Sequence, residues 1–287
     1  MTRVLVTGAG GQVGAEMMAA LRAGGHREVR GVTHAELDIA DRDGVERVVD
    51  ELVPDVVVNC AAITDVDRCE RDPEAAYAVN ALGVRHLAVA AKRIGAHVAH
   101  ISTDYVFDGT AGRPYDEWDA VNPISAYGRS KLGGELELAR HAGSWTIART
   151  AWVFGRTGRD FVQLVLDAAA DPERGIRFVD DQTGSPTYAP DLAATLSRLA
   201  VERREGIFHV VNAGSCTRYQ LARDILQVAG LDPSIARATT TAELGRPASR
   251  PVFSALDQLA LRHCGLPTLR HYRDALAVYL AGAGVTT

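Results

Sequence analysis

Short apolar runs alternate, along the first half of the chain, with stretches whose apolar residues recur every three to four positions. Residues 3–7, 28–33, 55–60, 97–103 and 145–149 read as strands, and 13–23, 42–52, 73–94 and 125–141 as helices. Val56-Val57-Val58 has no polar face, as expected of a strand covered on both sides. Gly24-Gly25 closes the first helix, Pro54 stops the second, and the third opens on Pro73 and ends at Gly95. Such β-α alternation predicts an α/β fold: a Rossmann-type, doubly wound parallel sheet wrapped by helices.

Beyond Thr150 the rhythm loosens. Residues 160–170, 191–204, 217–230, 254–263 and 269–281 read as helices, 176–179 and 206–211 as strands, and 239–251 as a polar loop. No repeat or linker separates the halves. We therefore expect residues 1–150 to form a nucleotide-binding domain, with later segments returning to it. Residues 151–287 would mainly form a smaller lobe across a cleft.

Composition removes several classes of function. The 287 residues are 47% hydrophobic and 23% charged, with 31 Lys and Arg against 36 Asp and Glu. A net charge of -5 gives no reason to expect nucleic acid or a membrane surface as partner. No apolar run approaches the roughly 20 residues of a spanning helix. The opening residues, with glycines after a very short apolar run, are unlike a signal peptide, which predicts a cytoplasmic protein. Cys60, Cys69, Cys216 and Cys264 form no C-x-x-C pair, so reduced thiols are expected. His97 and His100, an odd offset apart on a strand, should face opposite sides.

Gly8, Gly11 and Gly14 follow the first strand and open the first helix in a G-x-x-G-x-x-G spacing. Glycine there permits a tight turn, close approach of backbone to pyrophosphate, and tight helix–strand packing. The helix N-terminus adds free N–H groups and positive partial charge. In NAD-binding folds an acidic residue about twenty positions on takes the adenosine ribose. Here Thr33-His34 stand at the end of the second strand and Glu36 comes slightly late. That predicts room for a 2′-phosphate, with Arg30 nearby but no Arg at the strand end. Asp38 and Ile39 could flank the adenine.

Tyr127 and Lys131 are four residues apart, hence on one face of a helix. An ammonium near a phenol lowers its pKa and suits it to exchange a proton with a carbonyl. An ordinary surface pair would have the same spacing. Thr103, in the run Ser102-Thr103-Asp104-Tyr105-Val106-Phe107, ends a buried strand, where open α/β sheets bind ligands.

Taken together, residues 8–14, 38–39, 59–67, 102–109, 127–131, 149–154 and 181–187, with Arg250, Pro251 and Ser254, resemble the extended short-chain dehydrogenase/reductase family. Within it the chain is similar, along nearly its whole length, to the dTDP-4-dehydrorhamnose reductases. The resemblance implies an enzyme that reduces, with NADPH and with NADH left open as an alternative, the C4 ketone of dTDP-4-dehydro-L-rhamnose to dTDP-L-rhamnose. It implies Thr103, Tyr127 and Lys131 as catalytic residues. Cofactor contacts would come from Gly8, Gly10, Gly11, Gln12, Val13, Gly14, Asp38, Ile39, Ala61, Ala62, Ile63, Thr64, Tyr127 and Lys131. Thr103, Asp104, Tyr127 and Trp152 would meet the nucleotide-sugar, and Asn80 would support the site. Arg250, in the polar loop, is the candidate for the substrate diphosphate; a solvated surface arginine would look the same.

Some members of the family are dimers bridged by magnesium through glutamates. Glu16 matches the first such position, but Pro190 followed by Asp191 stands at the second, and residues 281–287 contain no glutamate. No metal is therefore expected, and the chain should be a monomer or a metal-independent homodimer. Two other readings stay open: a 4-ketoreductase of another dTDP-deoxysugar in secondary metabolism, and a non-catalytic nucleotide-binding regulatory subunit of the same fold. A dehydratase is disfavoured because Asp104 is followed by Tyr105 rather than Glu.

Overall fold

The computed structural model describes residues 2–158, 160–170 and 176–282. The first half runs β1 (Val4–Thr7), α1 (Gln12–Ala23), β2 (Val29–Val32), α2 (Arg42–Leu52), β3 (Val56–Asn59), α3 (Val66–Arg71), α4 (Pro73–Tyr77), α5 (Val84–Arg93), β4 (His97–Thr103), α6 (Ala126–His141) and β5 (Trp145–Thr150). There follow β6 (Val153–Phe154), α7 (Phe161–Ala169), β7 (Arg177–Val179), β8 (Thr183–Gly184), β9 (Thr187–Tyr188), α8 (Ala189–Val201) and β10 (Gly206–His209). The chain ends with β11 (Asn212–Ala213), β12 (Cys216–Thr217), α9 (Arg218–Val228), β13 (Arg237–Thr239), α10 (Thr241–Leu244), α11 (Leu259–His263), β14 (Leu269–His271) and α12 (Tyr272–Gly282).

Six strands form one sheet in the order β10-β5-β4-β3-β1-β2, and every pairing is parallel. The order reverses between β1 and β3, the topological switch point at which open α/β sheets bind ligands. Both faces are covered, which explains the unbroken Val56-Val57-Val58 run of β3. On one side Val4, Val6 and Val58 pack under Met17 and Leu21 of α1 and Leu192 and Leu196 of α8. On the other, Leu5, Val57 and Val98 meet Val45 of α2, Leu87 of α5 and Leu138 of α6. A second core joins Phe154, Val162, Phe178, Tyr188, Ile225 and Leu276. Beside this core stand two-stranded pairings, β12 with β8 and β13 with β7. Among the described residues no helix is long and apolar enough to cross a membrane.

Three expectations need correction. The helix expected over 73–94 is interrupted by a π-helical segment at Ala78–Gly83. Single π turns recur at functional sites because the extra residue re-aims side chains, and this one turns Asn80 inward, where it is wholly buried. The helix expected over 254–263 is confined to Leu259–His263. The backbone before it pairs sideways instead: Ser254 N–H donates to Thr183 O at 2.8 Å, and Ala255 O accepts from Tyr115 N–H at 2.8 Å. Residues 269–271 are a strand beside β11 before α12 begins. His97 and His100 do diverge: His97 lies 2.7 Å from Ser144 Oγ, and His100 lies 3.0 Å from Asn59 Nδ2.

α6 is fixed to the sheet by a buried ion pair. Arg149 of β5 donates to Glu135 of α6 at 2.9 and 2.7 Å, and Ser102 of β4 donates to the same carboxylate. The two charged side chains are only 3% and 4% exposed. Removing one partner of a buried pair leaves an uncompensated charge and costs about 3–5 kcal/mol. Glu135→Ala should therefore lower unfolding stability by about that amount, measured by urea denaturation. A loss below about 1 kcal/mol, the range of exposed pairs, would show that the pair does not anchor α6.

Candidate active site

The carboxyl ends of β1, β3, β4 and β5 open onto one cleft of about 1130 Å³, closed on the far side by α7, β7 and the loop carrying Arg246 and Arg250. Single small-molecule sites occupy roughly 300–1,000 Å³, so the cleft has room for two ligands side by side.

The glycine turn forms one wall. Gly8 has φ +66°, and a Cβ there would lie 2.7 Å from Ala61 N. A Cβ on Gly14 would fall 2.1 Å from the Gly8 carbonyl oxygen. The turn is thus wedged against the β3 loop, and α1 starts at Gln12 with no acidic residue in its first turn. Gly11, Gln12, Val13 and Gly14 line the cleft with Ala61, Ala62 and Thr64. Among the described residues, the buried Gln12 Nε2 has no hydrogen-bond partner. An unpaired donor beside free helix N–H groups fits the diphosphate of a dinucleotide. Gly8, Gly10, Asp38, Ile39 and Ile63 do not line the cleft. Ile39 is buried in the core and Asp38 accepts from Ala40 N–H at 2.9 Å. Ile63 is gripped from behind by Asn80, whose amide exchanges two 2.9 Å hydrogen bonds with its backbone. Asn80 also donates to Ser130 Oγ, which donates to Tyr127 O. The β3 loop and α6 are thereby tied together.

The end of β2 differs from expectation. Glu36 reaches back, its carboxylate accepting from Thr33 N–H at 2.8 Å and Thr33 Oγ1 at 3.0 Å, and it pairs with Arg30 at 3.0 Å. A carboxylate does stand at the strand end. The turn at residues 33–36 folds Glu36 back, so counting along the sequence placed it too far away.

Tyr127, Lys131, Thr103 and Asp104 face one another across the floor of the cleft. Burial raises the Tyr127 phenol above its usual range, with a hydrogen bond between it and Thr103 opposing the shift. Burial lowers Lys131 to about 8 against the pull of Glu135 and Cys60. Thr103 Oγ1 donates to Asp104 at 3.0 Å, and Ser254 Oγ donates to the other carboxylate oxygen at 2.5 Å. Trp152, at φ +46°, projects from the end of β5, and the Arg218 guanidinium lies 3.6 Å over its ring. Arg250 lines the cleft but is engaged, donating to Asp67 at 3.0 Å and to Ala248 O at 2.8 Å. Arg218 and Phe178 also line the wall and have no motif in the sequence, and Gln182, part of the 181–187 motif, stands beside them. A lone arginine opening a helix carries no signal until Trp152 is beside it.

Asp191, at the doubtful metal position, is held by Arg270 and Asn212. Among the described residues no group of three His, Cys, Asp or Glu could hold a metal ion. The tail at 283–287, read for its lack of glutamate, lies outside the described residues.

Fold and cleft together define a Rossmann-type reductase of the short-chain dehydrogenase/reductase class, built to hold a nicotinamide cofactor. A family model, the RmlD substrate binding domain, matches residues 1–284, and the chain belongs to that family. It is 44% identical over 292 residues to a dTDP-4-dehydrorhamnose reductase of Mycobacterium tuberculosis, covering 99% of this chain and 94% of the relative. It is 40% identical over 277 residues to a dTDP-4-keto-6-deoxy-D-glucose reductase of Streptomyces niveus, covering 96% and 95%. The crystal structure of dTDP-4-dehydrorhamnose reductase from Bacillus anthracis in complex with NADP superposes with a TM-score of 0.94 at 34% identity, covering 98% of this chain and 99% of that one. The family expected from the sequence motifs is the one found.

Asp104 gives the site a pH signature. Burial raises its carboxyl from the ordinary 3.8 to about 6, opposed by the hydrogen bonds from Ser254 and Thr103. The folded value lies above the unfolded one, so the folded state binds the proton more tightly. Its contribution to stability is full below the unfolded value and is lost as pH rises through about 6. Unfolding midpoints between pH 4 and 7 should fall with pH on this account, and Asp104→Asn should flatten that limb. An identical slope in the variant would show that Asp104 does not titrate in this window.

Proposed function

We propose that the chain reduces the C4 ketone of dTDP-4-dehydro-L-rhamnose, giving dTDP-L-rhamnose, with a reduced nicotinamide dinucleotide as hydride source. The observation that carries this reading is the convergence of Thr103, Tyr127 and Lys131 with the glycine turn on one cleft. The cofactor, when bound along Gly11–Gly14 and Ala61–Thr64, supplies the hydride. Tyr127 gives its proton to the C4 oxygen. Its buried phenol stays protonated in the free protein, as a general acid must. Thr103 hydrogen-bonds the same oxygen as negative charge builds there. Lys131 takes the nicotinamide ribose hydroxyls and, when charged, eases proton loss from Tyr127. Asp104 and Trp152 meet the sugar, and the diphosphate falls to the arginine wall that includes Arg250. In this reading residues 1–150 and the strand and helix returning to them hold the cofactor, and the remainder binds substrate. The protein works in the cytoplasm without a metal, as a monomer or a metal-independent homodimer.

A second reading, reduction of another dTDP-4-keto-6-deoxysugar, is favoured by the Streptomyces niveus relative and uses the same residues. NAD(P)H oxidation with a panel of dTDP-4-keto sugars decides between them, and no turnover with any would leave a binding protein. With the accepted sugar, Tyr127→Phe should lower kcat by about 10²–10⁴-fold with folding intact. An unchanged kcat would remove Tyr127 from the chemistry.

Arg30 and Glu36 stand side by side where the adenosine ribose would lie, one suited to a 2′-phosphate and the other to ribose hydroxyls. We therefore propose that NADPH is used and NADH accepted. The two kcat/KM values should lie within about a hundredfold, or roughly 2.7 kcal/mol. A larger preference for NADH would overturn the proposed use of NADPH.

A further inference from the structure

A line of buried hydrogen bonds runs from the end of β1 to Lys131, and its donors and acceptors can be assigned one by one. Thr7 Oγ1 donates to Asn59 Oδ1 at 2.6 Å, and Ala61 N–H donates to the same oxygen at 3.1 Å. A backbone N–H has no lone pair, so the Asn59 atom facing it must be the oxygen, and the amide cannot be turned over. Asn59 Nδ2, a donor, therefore faces His100 Nδ1 at 3.0 Å, and Nδ1 must accept. Burial holds His100 well below its usual pKa, so the ring is neutral. A neutral imidazole with a bare Nδ1 carries its proton on Nε2. That nitrogen lies 3.2 Å from Lys131 Nζ, which also donates to Ile101 O at 2.6 Å.

An ammonium has three donors and no acceptor. Facing an Nε2–H, it would set proton against proton in a site where both residues are almost fully buried. A neutral amine satisfies every partner, with its lone pair toward His100 and an N–H toward Ile101. We propose that His100 is a positioning residue, fixed by Asn59 as the Nε2–H tautomer, that favours the uncharged amine of Lys131 in the ligand-free protein and so sets the pH at which it charges. The other groups around Lys131 leave this assignment in place. Cys60, from the β3 loop, is pushed up to about 12 by burial and is uncharged. Tyr127, one turn back on α6, is protonated, and Glu135, one turn on, is committed to Arg149. The lowering of Lys131 to about 8 agrees in direction.

The inference rests on the role proposed for Lys131, and the test separates the two. Long-range proton–nitrogen NMR of the ligand-free protein labelled at histidine nitrogen, with His100→Gln for assignment, reads the tautomer without any assay. A protonated Nε2 with bare Nδ1 between pH 7 and pH 9 is expected, and a protonated Nδ1 would overturn the proposal. The second measurement is the pH profile of kcat/KM for the accepted keto sugar. The working lysine is charged, so activity should fall as pH rises through its pKa. Gln at position 100 offers Lys131 an acceptor in place of the Nε2–H. His100→Gln should therefore move the basic limb upward by about one pH unit or more, a roughly tenfold gain in proton affinity. His100→Asn, which keeps an acceptor for Asn59 but loses the donor to Lys131, should move it the same way and serves if the Gln variant does not fold. Lower activity with the limb unmoved would reduce His100 to packing. A limb that persists in Lys131→Met would refute the lysine reading while leaving the tautomer result standing.

Discussion

The height at which α6 sits over β4 depends on one buried ion pair. Glu135 on the helix, Arg149 on β5 and Ser102 on β4 lock three elements together. An unpaired charge would be so costly there that other registers of the helix are excluded. Tyr127, Lys131 and Glu135 are spaced four apart and share one face. That face descends along β4, so Tyr127 meets Thr103, Lys131 meets the Ile101 carbonyl and His100, and Glu135 meets Ser102. The residue that anchors the helix is the third member of the row proposed to carry the chemistry.

Much of this was legible in the sequence for a local reason. Strands covered on both faces need no alternating polar positions, and Val56-Val57-Val58 announces itself. The glycine turn is legible because Gly8 and Gly14 are required by close backbone approach within a few residues of each other. What escaped was set by distant partners. The π turn around Asn80 preserves the apolar spacing of a plain helix, and only the contacts to Ile63 and Ser130 distinguish it. Residues 254–258 have a helical pattern, yet their backbone and hydroxyls are claimed by Thr183, Tyr115 and Asp104. Glu36 looked too late in the chain because a turn shortens the path. Arg218 has no motif at all; it matters because it covers Trp152, a residue about sixty-six positions earlier that β5 holds in a left-handed conformation.

Segments that follow β13 are joined to the sheet side through polar contacts that pass beside the cleft. Ser254 donates to Asp104, and Arg246 and Arg250 converge on Asp67 of α3. These contacts make the far wall sensitive to what enters. A ligand diphosphate and the Asp67 carboxylate are the same kind of partner for an arginine, so Arg250 is already oriented for an anion. The sequence presented it as a choice between surface arginine and ligand contact. The structure gives it a third condition, an arginine paired with a carboxylate at the rim of the cleft.

The electrostatic character of the cleft floor follows from these constraints. Burial drives Tyr127, Lys131, Asp104 and Cys60 each toward its uncharged form. A floor of buried, hydrogen-bonded groups has little solvent to reorganise, which strengthens any interaction with charge that appears later. The charge that appears in carbonyl reduction is the one building on the substrate oxygen. Donors already held in place beside that oxygen are worth most at that moment. The polar groups are fixed by partners outside the reaction: Asn59 for His100, His100 and Ile101 for Lys131, Ser254 for Asp104. Their orientation is therefore settled by the folding of the chain, and little of it has to be reorganised when a ketone arrives.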